Sequence, residues 1–137
     1  MSEGFQTNPA FAWEKNSYRA QLREDLIFED SEIDRQGRPK IYVVPNRFYT
    51  DFASIPRFLW RLASPFDPEH RLPAVLHDYL YGLRGGEPYG LGRKECDELF
   101  LRAMKSEGQS WWKRHAIFNA VRTFGGIHSR AGGAWAK

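Results

Sequence analysis

His77 and Asp78 stand side by side in the run Ala74-Val75-Leu76-His77-Asp78-Tyr79-Leu80-Tyr81, and this pair is the strongest place in the chain to look for chemistry. A histidine titrates near neutral pH and ligates metals, and a neighbouring carboxylate can orient a ring or hold an ion. Adjacent side chains on a helix diverge by about 100°, so these two serve one centre only by flanking it. Further groups must come from elsewhere. The available carboxylates are Asp51, near the head of Thr50-Asp51-Phe52-Ala53-Ser54-Ile55-Pro56-Arg57, and Asp97, in Arg93-Lys94-Glu95-Cys96-Asp97. The catalytic candidates are therefore His77, Asp51, Asp78 and Asp97. A metal-assisted hydrolysis would use His77, Asp78 and Asp97 to hold one divalent metal ion, and an acid-base hydrolysis would use His77 as the base with the aspartates orienting it.

A structural reading accounts for the same residues. His77 follows Leu76 on a largely apolar stretch, and its ring can donate to Asp97 or to Asp51, joining the helices to the strand region without catalysing anything. Asp51 can cap the turn ahead of Ser54, and Ser54 can be an N-cap. Ser54 lacks the Gly-x-Ser-x-Gly elbow of a nucleophile, and Cys96 lies on an apolar helical stripe, where packing explains it better than reactivity.

The elements that must position these groups fall into a strand-rich front and a helix-rich back. Residues 1–17 carry the scattered aromatics Phe5, Phe11 and Trp13 and read as an N-terminal arm. Tyr18 to Glu29 alternates imperfectly and breaks near Glu24-Asp25; Asp34-Arg35-Gln36-Gly37-Arg38-Pro39 has turn chemistry; Ile41-Tyr42-Val43-Val44 returns. Arg47 to Thr50 is a further extended piece. Pro56 to Leu62 predicts a short helix with Ser54 as its cap. A second helix is expected over Pro68 to Tyr81, with Leu72, Val75, Leu76, Tyr79 and Leu80 inward and Pro73 forcing either a late start or a kink. Gly82 to Gly92 reads as a loop. A third helix follows Gly92, with Glu95 placed to cap it and Cys96, Leu99, Phe100, Ala103 and Met104 inward. The fourth begins after Ser110 and stops at Gly125-Gly126, with a stripe of Ile117, Ala120, Val121 and Phe124. The expected fold is α+β, one small antiparallel sheet of two or three strands followed by about four helices. Residues 18–124 form the domain, and residues 125–137 a flexible basic tail in which Trp135 can dock.

Three segments taken in order, Thr50 to Arg57, Ala74 to Tyr81, and Arg93 to Asp97 with Phe100 and Ala103-Met104, resemble domain of unknown function 1353, a family of tailed-bacteriophage and prophage proteins. The resemblance covers roughly residues 18–124 and departs from the usual pattern at Gly92 and Pro73. It implies a phage or prophage gene product made in the host bacterial cytoplasm, with virion incorporation open, and it implies no agreed biochemistry. The His77-Asp78 pair with a distant aspartate also resembles in outline the metal site of HD-type phosphohydrolases. That outline is incomplete, since His70 lies two turns before His77, about 10 Å along a regular helix.

The rest of the chain bounds the function classes. Its 137 residues suit a single domain, and 42% hydrophobic residues suffice for a core despite a mean hydropathy of −0.61. The single Cys96 excludes an intrachain disulfide, and no window reaches the length of a membrane span. The last thirty residues carry five bases and no acid. Together with Trp111-Trp112-Lys113-Arg114-His115, that basic end fits core packing first, contact with a protein second and a membrane surface third; nucleic acid is disfavoured because no recognition motif accompanies the charge. The His/Asp set puts one function first, a small hydrolase acting in entry, lysis or host takeover; the alternatives are a tail or tail-tip virion component with a structural His/Asp cluster, and a phage factor that binds a host protein. Virion subunits or a host protein would be met through the arm and the basic end.

Overall fold

A computed structural model of the chain describes residues 3–17, 19–52, 57–61, 64 and 67–131, with the side chains of 57, 68 and 125–131 left aside. The order of elements is β1 (Gly4–Phe5), β2 (Phe11–Trp13), β3 (Ala20–Leu22), β4 (Leu26–Ile33), β5 (Pro39–Val44), β6 (Tyr49–Thr50), a 3-10 turn (Arg57–Leu59), α1 (Pro68–Leu83), α2 (Arg93–Ser106) and α3 (Trp111–Ala131). The α+β class holds. The details differ from expectation in three ways.

First, the strands form two antiparallel three-stranded sheets, ordered β1-β4-β5 and β2-β3-β6, rather than one. The break near Glu24-Asp25 is where the chain leaves the middle strand of one sheet for the middle strand of the other. Residues expected as an arm supply an edge strand to each: Phe5 pairs with Phe28, and Phe11 with Leu22. A two- or three-residue strand has no readable period, which hides it in the sequence. Second, the described residues hold three α-helices, not about four. The described residues after Pro56 make a 3-10 turn, Arg57–Leu59. Third, α3 runs on through Gly125-Gly126 to Ala131, so the glycine pair does not stop it. Glycine weakens a helix interior by about 1 kcal/mol relative to alanine without forbidding it. The expected Ser54 cap and the Trp135 contact lie outside the described residues.

Elsewhere local chemistry explains the elements. Asp34 accepts from the backbone N–H groups of Gln36 and Arg38 at 2.9 Å, closing the β4–β5 turn, where Gly37 takes φ 77°. Helix α1 begins at Pro68 and continues through Pro73, which sits in its second turn, where it deprives only one carbonyl of its partner. Gly92 donates its N–H to the Glu95 carboxylate at 3.0 Å, starting α2.

Helix α2 is the hub. It contacts α1, α3, β1 and β4. Its stripe of Cys96, Leu99, Phe100, Ala103 and Met104 is buried against Leu72, Val75, Leu76 and Leu80 of α1, Phe28 and Val44 of the first sheet, and Ile117 and Val121 of α3. A bidentate ion pair adds a polar tie: Arg102 donates from Nε and Nη2 to both Asp30 oxygens at 2.8 and 2.9 Å, with the Asp30 side chain fully covered. Tyr79 and Phe124, expected inward, are half-buried and exposed respectively.

Candidate functional site

Helix periodicity sets the site. His77 and Tyr81 are one turn apart on α1, so both reach the same point of α2, which is Asp97. His77 Nε2 lies 2.7 Å from Asp97 Oδ1, and the Tyr81 hydroxyl donates to the same oxygen at 2.8 Å. The other oxygen, Oδ2, accepts from Arg122 of α3 at 2.9 Å, with the Arg93 guanidinium 3.7 Å away on the preceding turn of α2. One carboxylate therefore joins three helices. Phe100 stacks on the His77 ring at 4.6 Å between centroids, and Tyr81 covers it from a second direction at 4.2 Å.

Burial of Asp97 by itself would raise its pKa, but the bonds and charge from His77, with Arg122 and Tyr81, outweigh that and hold the carboxyl below its ordinary range. Tyr81 moves the other way, because burial and the Asp97 charge disfavour a phenolate. The Cys96 thiol is pushed up to about 12 by burial, then by Asp97 and Glu95, so it stays a protonated packing group.

Asp78 points away from this cluster, as the divergence of neighbours on a helix requires. It accepts from the Thr50 hydroxyl at 2.6 Å, tying β6 to α1. The same hydroxyl accepts the Phe52 N–H at 3.2 Å and helps to hold that buried residue at φ 59°, in a region that non-glycine residues seldom occupy. Asp51, between them, is exposed. The four carboxylate and imidazole candidates therefore divide: His77 and Asp97 meet in the core, while Asp78 and Asp51 lie towards the strand end.

Among the described residues, no group of three or more His, Cys, Asp or Glu side chains is gathered closely enough to hold a metal ion. The Asp97 oxygens already meet three hydrogen-bonding partners, with the Arg93 charge close by, which leaves little room for a ligand. A cleft of about 470 Å³ opens elsewhere, bounded by residues 5–8, Arg71, Leu72 and Glu107, none of them a sequence-derived candidate. His70 is buried against the side-chain amide of Gln109, away from His77. No described helix is long and apolar enough to cross a membrane.

Sequence reasoning missed Tyr81, Arg93, Arg122 and Thr50 as partners. Two left a signal: Tyr81 is four residues after His77, and Arg93 four before Asp97, both the spacing of one helical face. Arg122, on another helix, left none. Thr50 was visible only as the head of the segment containing Asp51.

Comparison with known proteins bears on the family alone. An uncharacterized protein of Sinorhizobium fredii (strain NBRC 101917 / NGR234), y4jT, is 27% identical over 106 residues, which are 77% of this chain and 28% of that protein. The chain thus spans less than a third of that relative. No solved structure matches it. Residues 21–121 match the family described as a protein of unknown function, DUF1353, and include all of the His77, Asp78, Asp97 and Asp51 candidates. The chain belongs to the DUF1353 family.

Proposed function

We propose that the protein is a non-enzymatic component of a phage or prophage particle, with the His77–Asp97 cluster serving as the internal bolt of its helical layer. The observation that carries this reading is the closure of the cluster: both side chains have no solvent exposure, and every Asp97 oxygen is occupied by protein donors. A hydrolytic centre needs a reacting atom within about 3 Å of its base and a path for substrate and water, and a saturated buried carboxylate provides neither. A particle subunit instead needs a rigid body and a surface for neighbours. Trp111 and Trp112, 65% and 60% exposed at the start of α3, are the residue type that concentrates binding energy in protein contacts.

Density-gradient-purified particles, induced from a strain carrying the gene and analysed by mass spectrometry, provide the test. The protein should co-sediment in a fixed ratio to the major structural proteins. Recovery solely in the free fraction of the lysate would overturn the assignment.

The hydrolase reading keeps one specific support. His77 Nδ1 is buried with no hydrogen-bond partner among the described residues, and an ion or an ordered water would satisfy it. Metal analysis of the native protein beside a folded His77→Ala variant decides that point. About one equivalent of metal in the native protein, absent from the variant, would replace the structural reading with a metal site.

A further inference from the structure

Glu107 is placed where a purely structural residue would not be. It is the C-cap of α2, at the negative end of the helix dipole, where a base is stabilising and an acid is not. Its side chain is partly withdrawn from water, and no ion pair or side-chain hydrogen bond engages it among the described residues. Burial raises its carboxyl above the usual range. A helix end of the wrong sign and partial burial thus meet on one carboxylate, and such a departure from local rules is expected where a site must be kept ready for a ligand.

Its surroundings define what that ligand would be. Glu107 lines the cleft of about 470 Å³, a volume typical of small-molecule and side-chain pockets. Phe5 and Leu72 supply apolar wall. The Thr7 hydroxyl is already spent, donating to the Asp25 carbonyl at 2.8 Å and accepting the Ile27 N–H at 3.0 Å, so it fixes the wall instead of reading a ligand. Arg71 lines the same cleft, but its guanidinium lies over the Phe11 ring, 5.9 Å from the centroid.

We propose that this cleft binds an arginine- or lysine-type group, with its cationic head on Glu107 and its aliphatic stem against Phe5 and Leu72. The group can be a free amino acid or a basic side chain presented by a protein. The inference is independent of whether the protein is a particle component.

The test is a titration of the isotope-labelled full chain, followed by the amide NMR signals of Phe5, Leu72 and Glu107, with L-arginine, an end-capped arginine-containing peptide, and L-citrulline as the neutral isostere. Saturable shifts with arginine or the peptide, and not with citrulline, are expected. Glu107→Gln should weaken that binding about tenfold or more, the equivalent of one charge-assisted bond, and Glu107→Lys should abolish it. Tighter binding of the peptide identifies a protein as the source of the group, and tighter binding of the free amino acid identifies a metabolite. Absence of saturable shifts with both arginine ligands, equal shifts with citrulline, or unchanged binding in a folded Glu107→Gln protein would overturn the proposal. The arginine–citrulline contrast needs no variant, so the test stands even if a substitution disturbs the fold.

Discussion

His77 Nε2 and Asp97 Oδ1 lie 2.7 Å apart with both side chains fully enclosed, so the pair that looked most like a reaction centre is a buried joint between α1 and α2. A charge enclosed in this way is stable only while its partners are present. Replacing one partner therefore affects the whole helical layer.

Asp97→Ala leaves Arg122, Tyr81 and His77 without their common acceptor. The expected loss is about 3–5 kcal/mol in urea unfolding. A double-mutant cycle of His77→Phe with Asp97→Asn should show coupling of about 1 kcal/mol or more, because the residues touch. Strict additivity of the two substitutions would remove the joint from this account.

Thr50→Val keeps shape but removes both the donor to Asp78 and the acceptor of the Phe52 N–H. We expect a loss of about 1–3 kcal/mol, the usual penalty for leaving a buried donor such as the Phe52 N–H unsatisfied, with most of it restored by Thr50→Ser. Equal stability of the valine and serine variants would show that the hydroxyl does not hold β6 to α1.

Acid should weaken the protein in two stages. His70 is held below its ordinary value of 6.5, first by burial, so the unfolded chain binds the proton more readily. Its contribution is complete above pH 6.5 and declines as the pH falls from there towards the folded-state value. Asp97 is also held low, and its contribution is lost as the pH drops below 3.8 through the folded-state value. Thermal melts across this range should show both declines, and His70→Gln should remove the upper one alone. A wild-type midpoint that stayed level below pH 6.5 would contradict the first assignment.

Arg102→Lys retains the charge but cannot make the paired bonds to Asp30. A loss of about 1–2 kcal/mol is expected, together with faster amide exchange along β4. Wild-type stability in this variant would mean that α2 is held to the sheet by apolar packing alone.

Cys96 should resist a neutral-pH thiol reagent in the folded protein and react at once in denaturant. It is buried, and its thiol is pushed up to about 12. Rapid labelling of the native state would show that α2 opens more readily than its packing implies.

The sequence by itself determined the α+β class, the apolar faces of the three long helices and the turn around Gly37, because helical stripes and turn residues are local signals repeated over many positions. Leu99, Phe100, Ala103 and Met104 had to face inward whatever they met. It also determined that His77 and Asp78 diverge, since adjacent helical residues must. Only the tertiary structure decided which group each would meet. Asp97 was one of two acceptors in reach of His77, and its selection depends on how α1 crosses α2. Arg122 arrives from a third helix with no sequence relation to either. The edge strands Gly4–Phe5 and Phe11–Trp13 are too short to carry a period and form because β4 and β3 offer them free backbone partners. Closure of the cluster was equally hidden. Solvent exclusion at a point depends on every element packed around it, whereas residue type and spacing report only on the chain nearby.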